Sequence, residues 1–372
     1  MRIALVSPLP PYRGGIAAFS HLLGTHLLAR HELYAVNFRR LYPPFFFPGQ
    51  SQTLTTATVP LPAPADTLLD SLLPASWDRA ARRIRDFRPD VSIFAYWMPY
   101  FIPAYWRMLA LLRPHGRAVI LCHNVEEHEN QPGLRWLKRR FFGAADGLVV
   151  LSDDGRRQLQ RLAVSTPAAT LFHPTYPGYG DGPPQAEAKA RLGLDSGTPM
   201  ILFFGLVRPY KGLAHLLEAA RLLQQRGVRF HLRVAGEFYQ GYQEAARAVA
   251  RHGLTHSVVL ENRFIPDREV ATYFSAADVV VLPYLSATQS GVVQLAYQFQ
   301  RPVVVTAVGG LAEVVQPGRT GFVVPPADGA ALADVLAKNL PAGFAKLRGA
   351  VASAREAFTW ERFIARLEHF LA

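Results

Sequence analysis

Hydrophobic positions in this chain fall into short solid runs separated by longer stretches with helical spacing. A solid apolar run bounded by turn residues predicts a strand buried on both faces, and recurrence every three or four residues predicts a helix with one buried side. Arg2-Ile3-Ala4-Leu5-Val6-Ser7 is the first such strand; Pro8 to Gly15 is a turn, and Ile16 to Ala29 a helix. Val91 to Phe94, Ala118 to Leu121 and Gly147 to Leu151 are further strands, with helical patterns at Trp77 to Phe87 and Leu134 to Phe142. Strands alternating with helices predict an α/β domain around a parallel sheet.

The alternation breaks at Tyr176 to Gly197, where Pro177-Gly178-Tyr179-Gly180-Asp181-Gly182-Pro183-Pro184 reads as a linker. It restarts with a strand at Met200 to Phe204 and a helix at Leu213 to Gln225. Strands follow at Phe230 to Ala235, Val258 to Glu261, Val279 to Leu282 and Val303 to Thr306. The pattern therefore predicts two Rossmann-like halves, 1–180 and 185–357, with a last amphipathic helix, about 358–372, packing back on the first. Parallel sheets bind ligands beyond the carboxyl ends of their strands, so function is sought in residues just after strands, with a cleft expected between the halves.

Composition narrows the field. The 372 residues are 50% hydrophobic and 18% charged, which excludes disorder, and the single Cys122 excludes a disulfide scaffold or a multi-thiolate metal site. A reducing, cytoplasmic setting is expected. Two charge-free stretches, Leu41 to Ala65 and Val91 to Trp106, are interrupted by prolines and do not read as membrane spans, and the N-terminus lacks the pattern of a signal peptide. Residues 1–185 hold 20 basic and 13 acidic side chains and the remainder 20 and 15, so the net charge of +12 is spread over both halves. That points to polyanionic partners: nucleic acid, phosphorylated small molecules or an anionic membrane. No nucleic-acid recognition module is visible, so nucleic acid is not expected.

Four turns carry candidate chemistry. Gly14-Gly15 follows the first strand and opens a helix, where backbone N–H groups can approach an anion, although it is not the spaced-glycine dinucleotide fingerprint. Gly205 to Gly212 follows a strand in the same way and adds Arg208 and Lys211, a cation pair suited to a diphosphate. Ser286 to Gln294, containing Gln289, Ser290 and Gly291, offers small polar residues at a helix start, and Gly309-Gly310-Leu311-Ala312-Glu313 follows the next strand. The plain alternative for each is an ordinary solvated turn.

Taken together, these motifs resemble the GT-B glycosyltransferases, specifically the retaining family 4. The resemblance covers nearly the whole chain and runs through Pro8 to Gly15, Cys122-His123-Asn124, Gly205 to Gly212 and Phe264-Ile265-Pro266-Asp267. It continues in Ala276 to Tyr284, Pro302-Val303-Val304, Gly309 to Glu313 and Gly318 to Pro325. It implies an α/β fold of GT-B type, with two Rossmann-like domains whose parallel sheets face across a cleft. It further implies that Arg208 and Lys211 meet the donor diphosphate and that Gly14 and Gly15 approach it from the first domain. His123 would face the donor sugar and acceptor, Phe264-Ile265 would meet the nucleotide base, and Gln289, Ser290, Gly291, Gln294, Gly310 and Glu313 would complete the donor site. Tyr96, Trp97 and Asn124 are expected on the acceptor side, aromatic rings beside a cleft being suited to sugars. No cofactor and no metal are expected, the donor being a nucleotide-diphosphate sugar and no Asp-x-Asp pair being present.

The sequence departs from the family at its paired glutamates. An ungapped match puts Ala287 and Leu295 at those positions; one residue earlier, Ser286 and Gln294 have the same separation and offer neutral hydrogen bonds. This suggests a divergent subgroup associated with bacterial polysaccharide synthesis and keeps two alternatives open: a sugar-nucleotide epimerase on the same scaffold and a non-catalytic nucleotide-binding subunit. His123, Glu126, Glu127, His128 and Glu129 invite a metal reading, but their spacing is not the His-Glu-x-x-His pattern. His173 reads as structural. Arg39 to Phe47 joins two arginines to three phenylalanines, and Arg79 to Arg88 and Arg135 to Arg140 are arginine-rich. Their sharper reading is a peripheral contact with the inner face of a membrane carrying a glycan or polyprenyl-linked acceptor; their plainer one is a folded loop and two solvated helix faces.

Overall fold

A computed structural model describes residues 1–43, 51–54, 63–126 and 134–372. The chain divides into two compact units, Met1–Phe172 with Trp360–Ala372, and His173–Thr359.

Among its described residues the first unit holds seven strands: β1 (Arg2–Val6), β2 (Glu32–Arg40), β3 (Ala65–Asp70), β4 (Val91–Tyr96), β5 (Arg117–Cys122), β6 (Gly147–Val150) and β7 (Ala168–Thr170). They form one sheet in the order β3-β2-β1-β4-β5-β6-β7, with every pairing parallel. Helices cover both faces, so the central strands read as continuous apolar runs rather than as alternating ones. One face is packed by Gly15–Leu28 and by the last helix, Trp360–Leu371. Trp360 lies against Phe19 at 5.2 Å and stacks on His26 at 5.2 Å, and Arg30 and His31 hold Glu368 at 2.8 Å each. Strands β2, β3 and β7 are additional to those read from the sequence. Asn37 interrupts the apolar run of β2; it is buried because its side chain accepts from Leu9 N–H at 3.0 Å and donates to the Leu9 carbonyl at 3.3 Å.

The second unit holds β8 (Met200–Phe204), β9 (His231–Ala235), β10 (Val258–Glu261), β11 (Val279–Leu282), β12 (Val303–Thr306) and β13 (Gly321–Val324), ordered β10-β9-β8-β11-β12-β13 and again all parallel. Each sheet therefore reverses its strand order once, between β1 and β4 in the first unit and between β8 and β11 in the second. The helices before and after a reversal lie on opposite faces, which leaves a crevice at the carboxyl ends of those two strands.

Candidate functional site

In the second unit the crevice at β8 and β11 is where the sequence placed its cations. Gly205 follows β8 with φ +93°, and the turn ends at Gly212 with φ +67°, opening the helix Leu213–Gln225. A Cβ on Gly212 would lie 1.9 Å from the Pro283 carbonyl oxygen, so glycine alone lets the turn after β8 press on the turn after β11. Leu285 N–H donates to the Tyr210 carbonyl at 2.7 Å and ties the same two turns.

This contact fixes Lys211. Its side chain is buried, with the ammonium 5.5 Å from the centre of the Tyr284 ring. A Cβ on Gly205 would stand 3.4 Å from Lys211 Nζ and 3.9 Å from Val292 Cγ2, which places Nζ beside the start of the helix Gly291–Gln298. Burial, and then the charge of Arg208, push the Lys211 pKa down to about 7. Arg208 is exposed and lies over the Tyr239 ring, its guanidinium carbon 4.9 Å from the centroid. One cation is thus desolvated and the other is held at the surface, an arrangement that favours an anion brought to the pair.

The helix Gly291–Gln298 is positioned by residues that sequence reasoning treated as incidental. His173 Nδ1 lies 3.0 Å from the Pro174 carbonyl, its Nε2 lies 3.3 Å from Tyr176 OH, and burial lowers its pKa to about 4, keeping it neutral. A Cβ on Gly291 would meet Tyr176 OH at 3.0 Å, so this pair sits directly against the helix start. Ser290 caps the helix, its hydroxyl accepting from Val292 N–H at 3.2 Å. Gln289 is half-buried and Gln294 is 1% exposed; the side-chain oxygen of each is buried with no hydrogen-bond partner among the described residues. Ser286 is half-buried, whereas Ala287 and Leu295 belong to the buried apolar set.

Other expected residues lie apart from this corner or are already engaged. Gly310 N–H donates to the Thr288 carbonyl at 3.0 Å, so it braces the turn after β11 instead of offering a free N–H, and Glu313 is exposed. Phe264 is half-buried and Ile265 buried after β10, next to Arg263, which donates to Tyr273 OH at 2.9 Å.

In the first unit, Gly14 has φ +110° and precedes the helix Gly15–Leu28, which has no side-chain cap. Among the described residues, a Cβ on Gly14 or Gly15 would meet nothing within 4 Å. Phe19, one turn in, packs edge-on against the His123 ring at 4.8 Å, which brings His123 to the same helix. His123 N–H donates to the Tyr96 carbonyl at 2.8 Å and Asn124 donates to the Trp97 carbonyl at 3.3 Å, so the ends of β4 and β5 are joined. Trp97 donates to Tyr42 OH at 2.8 Å.

Tyr96 is a correction. It is 0% exposed and packed between Phe141 and Phe142, at 5.3 and 5.2 Å, so it is core and reaches no acceptor. Being the last residue of β4, it points by strand alternation into the face covered by the helix Leu134–Gly143. Lys138 is likewise buried, while Arg135, Trp136, Arg139 and Arg140 are exposed. Arg39 and Arg40 both pair with Asp70, at 3.5 and 2.7 Å; residues 44–47 of the phenylalanine loop, and Glu127, His128 and Glu129, lie outside the described residues. Among the described residues no group of three or more His, Cys, Asp or Glu side chains is placed to hold a metal ion, and no helix is long and apolar enough to cross a membrane.

Residues 13–172 match the family described as Glycosyltransferase Family 4, and residues 198–340 match the one described as Glycosyl transferases group 1. The chain belongs to these glycosyltransferase families. The alpha-D-kanosaminyltransferase of Streptomyces kanamyceticus is 25% identical over 259 residues, 68% of this chain and 66% of that protein. The D-inositol 3-phosphate glycosyltransferase of Streptomyces scabiei is 30% identical over 261 residues, 64% of this chain and 56% of that protein. The chain spans about half the length of most of the curated relatives it matches. Anabaena HepE, solved in complex with UDP-glucose, shares the fold with a TM-score of 0.77 at 16% identity, covering 100% of this chain and 99% of that one. The fold is thus of GT-B type, with two Rossmann-like α/β domains, and the two family matches fall one on each unit.

Proposed function

We propose that this protein transfers a sugar from a nucleotide-diphosphate sugar to a hydroxyl of a glycan or lipid-linked acceptor, with the anomeric configuration kept and without a metal. The observation that carries the reading is the Lys211–Arg208 pair at the β8/β11 reversal, held by the contact of Gly212 with Pro283. Breaking the bond between the sugar's anomeric carbon and the diphosphate oxygen leaves an extra negative charge on the diphosphate. The new bond forms between that carbon and the acceptor oxygen, and the hydroxyl proton leaves toward the departing diphosphate. A buried ammonium and a surface guanidinium stabilise the growing charge without reorganising. HepE was solved with UDP-glucose, which makes a uridine donor the first to try here. His123 takes, by resemblance, the part facing the sugar, with Gly14 and Gly15 offering N–H groups to the donor.

The buried, unpartnered oxygens of Gln289 and Gln294 support neutral hydrogen-bond acceptance at the donor in place of the family's carboxylates. Trp136, 61% exposed beneath the Arg140 guanidinium at 4.9 Å and flanked by Arg135 and Arg139, supports a peripheral contact with an anionic membrane on the cytoplasmic side.

The test is thermal-shift binding of UDP, GDP and ADP and their sugar conjugates, followed by transfer assays with the donor that binds. A ligand held only by the folded state raises its melting temperature. A shift lost in Lys211→Ala, with turnover giving a product of the donor's anomeric configuration, supports the proposal. Nucleotide binding with no turnover in any acceptor mixture would favour a non-catalytic subunit, and interconversion of the free sugar nucleotide would favour an epimerase.

A further inference from the structure

At the opposite end of the second sheet, where its strands begin, lies a buried cluster of positive charge that the transferase reading does not use. Arg301, two residues before β12, is 9% exposed, and its Nε and Nη1 have no hydrogen-bond partner among the described residues. Guanidinium donors are rarely left buried and unsatisfied, because each forfeits its hydration for nothing in return. Arg348, on the helix Gly343–Arg355, stands close enough to repel it, and its own Nε is also without a partner.

Asp278, just before β11, is the opposing charge that acts on Arg301, and its oxygens are already committed. One accepts from Gln185 at 3.0 Å and Arg348 at 3.4 Å; the other accepts from Met200 N–H at 2.8 Å and Lys189 at 2.9 Å. Three cations, Lys189, Arg301 and Arg348, thus share one carboxylate. Among the described residues, no carboxylate lies within ion-pair distance of Arg301. Burial and Arg348 together lower the Arg301 pKa to about 10, an unusual condition for a guanidinium.

We propose that this cluster is a binding site for a phosphate-type oxyanion, separate from the Lys211 corner. Arg348 Nη2 already donates to Gln185 Oε1 at 2.7 Å, so the anion would supply acceptors to Arg301 Nε and Nη1 and to Arg348 Nε, and the negative charge that Asp278 alone does not provide. The strands separate it from the turns around Lys211: β8, five residues long, spans about 16 Å at roughly 3.3 Å per residue. An anion here would brace the helices Gln185–Arg191 and Gly343–Arg355 against the starts of β8, β11 and β12.

The experiment is calorimetric titration with inorganic phosphate at constant ionic strength, on the full chain, with wild type, Lys211→Ala, Arg301→Gln and Arg348→Gln. The expected result is binding in wild type, retained within about threefold in Lys211→Ala and weakened at least tenfold in both arginine variants. No binding in wild type, unchanged affinity in the arginine variants, or binding lost in Lys211→Ala would each overturn the proposal, the last by placing the phosphate at the donor corner. Arg348 is less buried than Arg301, so Arg348→Gln decides the matter if Arg301→Gln does not fold. A parallel titration with glycerol phosphate separates the source: tighter binding than phosphate assigns the site to a phosphorylated small molecule, equal or weaker binding to the free anion.

Discussion

The Lys211 ammonium stands 5.5 Å from the centre of the Tyr284 ring, across the point where the second sheet reverses its strand order. The two residues come from turns 73 positions apart in sequence, and their meeting holds a lysine with its pKa near 7. An anion placed beside Lys211 favours the protonated form and raises that pKa.

The sign of the pH dependence follows. Diphosphate affinity is expected to be greatest below pH 7, where Lys211 is charged before and after binding, and to fall as pH rises above 7, by up to roughly tenfold per unit, because binding must then take up a proton. Titration of UDP at pH 6, 7, 8 and 9 checks this. Lys211→Arg, which stays charged throughout, flattens the profile if it folds, and Lys211→Ala removes most of the affinity at pH 6.

Gly212→Ala tests the contact that builds the corner. The added Cβ would lie 1.9 Å from the Pro283 oxygen at a φ of +67°, so one of the two turns must move. The expected cost is at least ~2 kcal/mol of stability, with weaker nucleotide binding. Urea denaturation and UDP titration measure the two effects, and unchanged values in both would remove Gly212 from the account.

His123→Ala separates binding from turnover. His123 is assigned to the sugar and not to the nucleotide, so UDP affinity is expected to stay within about threefold. Turnover should fall on the order of 100-fold, the scale of losing one preorganised polar group. Full transfer activity in the variant would end the assigned role.

Trp360→Ala examines the last helix. Trp360 is 2% exposed and packs on Phe19, His26 and Phe363. Its loss is expected to cost about 3–5 kcal/mol. Amide exchange should quicken in Gly15–Leu28 while β8 to β13 keep their protection; loosening confined to the second unit would contradict the division.

Trp136→Ala combined with Arg139→Ala and Arg140→Ala examines the membrane reading. Sedimentation with vesicles containing phosphatidylglycerol is expected to fall severalfold and to weaken with salt in the wild type. Binding unaffected by the triple change would locate any contact elsewhere.

The strands were legible where burial on both faces makes an unbroken apolar run, as in Leu202 or Val280 and their neighbours. Strand β2 was less so, because Asn37 breaks the run and is held by bonds that include Leu9, 28 residues away, and Pro10. The placement of Arg208, Lys211 and Gly15 between a strand and a helix was legible, because a glycine-bearing turn after an apolar run is a local pattern. Tyr96 was misread, since composition beside a strand end does not say which face the side chain takes.

The sequence by itself determined the alternation of elements, the two-part organisation and the turns that carry charge, because these depend on local periodicity and backbone freedom. Only the tertiary structure decided that the Lys211 turn meets the Pro283 turn, that His173 and Tyr176 press on Gly291, and that Arg301 has no carboxylate within ion-pair distance among the described residues. Those facts depend on strand order, which joins segments far apart in the chain and leaves no local pattern in the residues themselves.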